Sequence, residues 1–237
     1  MHVSACTDIG QQKQTNEDAV VTARFDDVSL LVIADGMGGH AAGDVASEEA
    51  TAELEDYVST AFANGRTDYE VILEEAIESA NERVRERAEE VASRSNMGTT
   101  VVAAIVGDGQ VVIGNVGDSR AYEVDDAITQ ITVDHSFVQE LISEGEITPE
   151  EATTHPQRHV LTQALGTEDG VDPDFFTPVI KGYLLLCSDG LTEEVPEETI
   201  REVINDASDI ETATDDLVQK ANENSGSDNI SVILADV

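Results

Sequence analysis

The chain has 237 residues, with 50 acidic side chains against 12 basic ones and a formal net charge of −38. That length buries a substantial core and suits one domain, whereas so negative a surface disfavours nucleic acid, whose binding needs cations to displace counterions. Apolar runs such as LLVIA and LLLC are far too short to cross a bilayer, and MHVSACTDIG lacks the pattern of a secretion signal. A cytoplasmic protein without a membrane partner is therefore expected.

In chain order, strands are expected near 2–9, 18–24 and 29–34, followed by helices over about 43–62 and 68–93. Asp44 supplies an acidic first turn to the first helix, and Asp68 can cap the second. Ile72, Ala76, Ala80, Val84 and Ala88 fall at i, i+4 steps on one face. Strands follow at 98–106, 110–116, 119–124 and 127–133, the first two joined by an Asp-Gly hairpin signal in VGDGQ. A polar stretch from about 134 to 178 holds short helices. A strand at 183–188, helices near 197–206 and 210–223, and a closing strand NISVILADV complete the chain. Hairpin-joined strands with helices in consecutive pairs predict an α+β fold of mostly antiparallel sheets covered by helix layers.

The carboxylates are dispersed through foldable sequence rather than gathered in a tail. Such a surface repels itself in dilute buffer and is relieved when molar salt shortens the screening length to about 3 Å. A salt-loving source is the hypothesis that follows. Cys6 and Cys187 form no CxxC pair, and Gln12 and Glu193, not arginine, stand six residues after them. Thiolate phosphoryl chemistry is thereby disfavoured, and both read as free thiols.

The stretch LLVIADGMGGHAAGDVAS admits two readings. Gly36-Met37-Gly38-Gly39-His40-Ala41 matches GxGxxA between a strand and a helix, the form of a dinucleotide cradle. That cradle requires a second parallel strand after the helix, and here another helix follows. The metal reading starts instead from aspartates at strand ends. Asp35 closes VIAD, Asp189 closes LLLCSD, and both precede glycine. Asp228 stands before the closing strand, Asn16-Glu17-Asp18 opens an early one, and Gly117-Asp118-Ser119-Arg120 separates two middle ones. Carboxylates that converge would repel unless a cation bound them, and oxygen-only ligands select hard ions such as Mg2+ or Mn2+.

NEDA, ADGMGGHAAG, MGTT, VGDSRAY, HPQR, LLCSDGL and SDNISV occur in an order that resembles the metal-dependent protein phosphatase family of type 2C, in its compact bacterial form. The resemblance spans nearly the whole chain. It implies a four-layer α-β-β-α sandwich of two antiparallel sheets flanked by helix pairs. It further implies hydrolysis of phosphoserine and phosphothreonine in proteins by a pair of Mn2+ or Mg2+ ions that activate a bridging water. By the same resemblance Asp35 bridges both ions, Gly36 offers a carbonyl ligand, and Asp189 and Asp228 complete the set. Glu17 and Asp18 hold metal-bound waters, and Asp118 helps bind a third ion. Phosphorylated proteins, shared with a serine/threonine kinase, are the implied partners, and a monomer is expected.

Two positions depart from the family pattern. Lys13 stands where a phosphate-binding arginine is usual, which keeps the charge and loses the two-pronged grip. Met37 replaces the histidine that follows Asp-Gly in animal-type members. His40 could then protonate the leaving alkoxide, or could equally be a helix-start residue held by hydrogen bonds. His155 and His159 have the spacing of a zinc pair, but Pro156 and the lack of a nearby third ligand assign them to the flap that the resemblance implies over about 134–165. The rival from another class is an idle relative that binds phosphoproteins as a regulatory module.

Overall fold

The computed structural model describes residues 1–38, 42–90, 97–167 and 170–237. His40 lies outside these. Two antiparallel sheets face each other. The first contains β1 (His2–Asp8), β7 (Arg120–Val124), β8 (Ile128–Gln130), β10 (Tyr183–Cys187) and β11 (Ile230–Asp236), in the order β1-β11-β10-β7-β8. The second contains β2 (Asp18–Phe25), β3 (Val28–Met37), β5 (Val101–Gly107), β6 (Gln110–Val116) and β9 (Asp174–Phe176), in the order β2-β3-β5-β6-β9. Short β4 (Gly98–Thr99) pairs with the end of β3.

Alternation along the strands builds the layers. Leu31, Ile33, Val102, Ala104, Leu184, Leu186 and Ile233 meet between the sheets. Their neighbours Leu30 and Val32 face outward onto α1 (Gly43–Ala63) and α2 (Tyr69–Glu90), where Ile72, Ala76, Ala80, Val84 and Ala88 are buried as the helical spacing predicts. On the opposite face, Leu185, Val232 and Leu234 pack under α6 (Glu197–Asp206) and α7 (Ile210–Asn224). The expected four-layer α-β-β-α sandwich is the architecture found. Among the described residues no helix is long and apolar enough to cross a membrane.

Several elements differ from expectation. The strand expected over 98–106 is interrupted at Thr100: its N–H keeps the ladder bond to the Asp35 carbonyl at 2.9 Å, but the Asp35 N–H donates to the Thr100 hydroxyl at 3.1 Å instead of to the Thr100 carbonyl. The strand expected over 127–133 is confined to Ile128–Gln130. The 134–178 stretch contains α3 (Phe137–Ser143) and α4 (Pro149–Ala152), as anticipated, and also the edge strand β9. Asp189 opens a single helical turn, α5 (Asp189–Thr192), between the strand and the helix expected on either side of it.

Candidate metal centre

At one end of the sandwich the chain brings Asp18, Asp35, Asp118, Asp189 and Asp228 together. Asp18 opens β2 and stands directly opposite Asp35 near the end of β3. Its Oδ2 crosses to the other sheet, accepting from Ser188 Oγ at 2.9 Å and Ser231 Oγ at 2.6 Å. Ser231 N in turn donates to Ser188 Oγ. One carboxylate oxygen thus ties the two sheets where β10 and β11 meet. Asp35 is held by its backbone: Thr100 N and Thr99 Oγ1 donate to its carbonyl, and its own N–H donates to Thr100 Oγ1 at 3.1 Å.

The loop carrying Lys13 and Glu17 is clamped by Asn229. Asn229 Oδ1 accepts from Glu17 N at 2.8 Å, while Nδ2 donates to the carbonyls of Ile9 and Thr15. Two glycines of the repeated Asp-Gly pattern gain a physical reason here. A Cβ on Gly36 would strike the backbone of Gly43 and Glu17, and one on Gly190 would strike the carbonyl of Asn229. Glycine therefore lets the chain segments that carry the aspartates close on one another.

Burial is the main force on these carboxyls. It pushes Asp18 and Asp118 up to about 6, against 3.8 for an ordinary aspartate, with Asp228 adding to the effect at Asp18 and Asp134 at Asp118. Asp35 and Asp189 are driven well above the usual carboxylate range by burial, and then by neighbouring carboxylates: Asp18 acts on Asp35, Asp118 on Asp189. Asp18 Oδ1 and Asp189 Oδ1 are buried without a hydrogen-bond partner. A hard divalent cation fits this donor set, since it would satisfy orphaned oxygens and cancel the repulsion that burial magnifies. Lys13 forms an ion pair with Asp228 and also faces Asp35 and Glu17; burial opposes its charge, but these carboxylates outweigh burial and raise its pKa.

Beside the aspartates lies a cavity of about 620 Å³, bordered by Asp118, Asp189, Glu193 and Arg158 and roofed by residues of α3 and α4. Sequence reasoning left Arg120, Asp134, Glu193 and Arg158 without a role at this site. Burial disfavours the Arg120 charge, but a two-pronged pair with Asp134 (2.9 and 2.6 Å) restores it. The VGDSRAY motif held a signal for Arg120, whereas Asp134 was one carboxylate among fifty. His155 and His159 are engaged on different partners. His155 lies against the Phe137 ring, and His159 Nδ1 meets Glu193 Oε1 at 3.0 Å with Asp189 close by. Cys187 is buried and free, its thiol pushed up to about 12 by burial, so it offers no thiolate.

Residues 9–235 match the family model described as protein phosphatase 2C. The chain is 42% identical to the serine/threonine phosphatase stp of Listeria innocua, over 100% of this chain and 96% of that protein. It superposes on the crystal structure of the serine/threonine phosphatase Stp1 from Staphylococcus aureus with a TM-score of 0.90 and 41% identity, covering 99% and 94% of the two chains. The catalytic domain of the serine/threonine phosphatase PstP, solved with two manganese ions, matches with a TM-score of 0.86 and 34% identity over 99% and 97%.

Proposed function

This chain belongs to the protein phosphatase 2C family and is a protein serine/threonine phosphatase, and we propose that it hydrolyses phosphoserine and phosphothreonine with two Mn2+ or Mg2+ ions. The observation that carries this reading is the pair of buried, unpartnered oxygens on Asp18 and Asp189, set among Asp35, Asp118 and Asp228. Asp35 would be the carboxylate shared by both ions, with the Gly36 carbonyl offered to one and Asp189 and Asp228 to the other. Glu17 and Asp18 would act through water, and Asp118 would assist a third ion. When bound, such a pair lowers the pKa of water and supplies a nucleophile for in-line displacement at phosphorus.

The chain's own groups do the rest. Ser188 and Ser231 aim Asp18, so that one oxygen is spent on structure and the other is free for the site. Asn229 keeps Glu17 and Lys13 on the rim. Lys13 offers a cation to a substrate phosphate, exchanging Asp228 for it. The cleft beside Asp118 receives the phosphorylated segment of a protein substrate, one that a serine/threonine kinase also recognises. We further propose a single catalytic unit over 1–237, acting as a monomer in the cytoplasm of a salt-adapted cell, away from nucleic acid and membranes.

The test is turnover of p-nitrophenyl phosphate and of a phosphothreonine peptide, with and without Mn2+ in molar salt, by wild type and Asp189→Asn. Metal-dependent turnover that falls at least about a hundredfold in the variant is expected. Peptide binding without turnover in the wild type would instead favour the regulatory-module reading.

A further inference from the structure

The turn that carries Asp118 crosses from β6 in one sheet to β7 in the other, and both residues after Asp118 are anchored. Ser119 Oγ pairs with Thr100 Oγ1 at 2.8 Å, and Arg120 is locked onto Asp134. The residue before it, Gly117, adopts φ +107°, where a Cβ would press on Thr100. It is held chiefly by the neighbour of Asp134. His135 N donates to Gly117 O at 2.9 Å, and Gly117 N donates back to His135 Nδ1 at 3.4 Å. Because Nδ1 accepts, the ring proton sits on Nε2, which faces Asp174 Oδ2 at 3.2 Å. Asp174 opens β9 opposite Asn115, whose Nδ2 also donates to Gly117 O.

His135 is attached on its other side to the roof of the cavity. Its carbonyl accepts from Thr162 N at 2.9 Å, Ser136 bridges to Leu161, and Phe137 N donates to Val160 O. The buried imidazole thus stands where the 136–165 segment leaves the core and where it returns. We propose that His135 is a positioning residue that fixes the Asp118 carboxylate at the cleft and ties it to the base of the roof. The arrangement parallels the outer partners that orient metal ligands in other sites, whose loss weakens metal binding by about 10–100-fold. This inference rests on the reading of Asp118 as an ion-binding carboxylate.

Three substitutions separate the two ring nitrogens. His135→Asn keeps an acceptor near Nδ1, His135→Gln keeps a donor near Nε2, and His135→Ala keeps neither. The primary readout is Mn2+ binding, followed as free Mn2+ by electron paramagnetic resonance, with cooperative melting as the check on folding. Asp118→Asn and His135→Ala should each weaken the loosest Mn2+ site by about tenfold or more and spare the tight pair. His135→Asn should restore that site, His135→Gln should not, and KM for a phosphothreonine peptide should follow the same order. An unchanged isotherm in His135→Ala, or equal rescue by Asn and Gln, overturns the proposal. Should the alanine variant fail to melt cooperatively, the Asn and Gln pair carries the comparison. An unchanged isotherm in Asp118→Asn would refute the ion at Asp118 itself, and the role of His135 with it.

Discussion

Asp18 and Asp35 stand opposite each other across the β2–β3 ladder, two half-buried carboxyls on one face of one sheet. Like charges so placed destabilise a sheet, a cost that the proposed cation would offset. Stability and function are therefore opposed at this position until metal binds.

This opposition fixes a pH dependence. Asp18 and Asp118 have folded-state pKa values raised from 3.8 to about 6. Folded protein binds more protons than unfolded chain between those values, so their contribution is fully present below 3.8 and is lost as pH rises through about 6. Metal-free protein should melt at lower temperature near pH 7.5 than near pH 5, and Mn2+ should raise the melting temperature more at the higher pH. Asp189→Asn should stabilise the metal-free form near pH 7.5 and have little effect below pH 4. Calorimetry in chelator and in Mn2+ checks this, and a metal-free protein that gains stability with rising pH would refute it.

Glycine at 36 is a matter of space, not of φ. Gly36→Ala drives a methyl into the Gly43 and Glu17 backbone, whereas Gly65, at φ +76°, has nothing near its Cβ position. Gly65→Ala should lose about 1 kcal/mol, the left-handed penalty alone. Gly36→Ala should lose more than about 3 kcal/mol, or fail to fold, and should lose Mn2+ affinity with it. Urea denaturation of the two variants makes the comparison.

Lys13 predicts a kinetic split. Lys13→Arg should lower KM for a phosphopeptide by about threefold to tenfold through a two-pronged grip, with kcat little changed. Lys13→Ala should raise KM and leave Asp228 without its ion pair. An unchanged KM in both variants would remove Lys13 from phosphate binding.

Asn229 makes three hydrogen bonds to the loop bearing Glu17. Asn229→Asp keeps the acceptor for Glu17 N and loses both donors, which orphans the Ile9 and Thr15 carbonyls. A loss of about 2–4 kcal/mol is expected, together with weaker Mn2+ binding as Glu17 moves. Asn229→Ser, lacking reach on both sides, should be no better.

The dispersed charge of −38 predicts that thermal stability rises between about 0.1 M and about 2 M KCl, as screening shortens from roughly 10 Å to below 3 Å. A melting temperature that stays flat or falls over that range would sink the salt-adaptation hypothesis.

Local pattern alone determined a good deal. Period-2 and i, i+4 apolar spacing marks most strands and both long helices, since each must bury one face. Asp108 and Gly109 both take positive φ in the hairpin that VGDGQ signals. Asp35, Asp189 and Asp228 are legible because each ends or precedes an apolar strand beside a small residue. What lay beyond local pattern is contact between distant segments. The break at Thr100 exists because its side-chain hydroxyl takes the Asp35 N–H that a regular ladder would give to its carbonyl. The three-residue β9 is too short to carry a period, and it exists because Asn115 offers an edge. Asp134 and His135 acquire meaning only when folding sets them against Arg120 and Gly117. Periodicity is a property of neighbours along the chain, whereas the aim of a buried side chain depends on which remote groups compete for its hydrogen bonds.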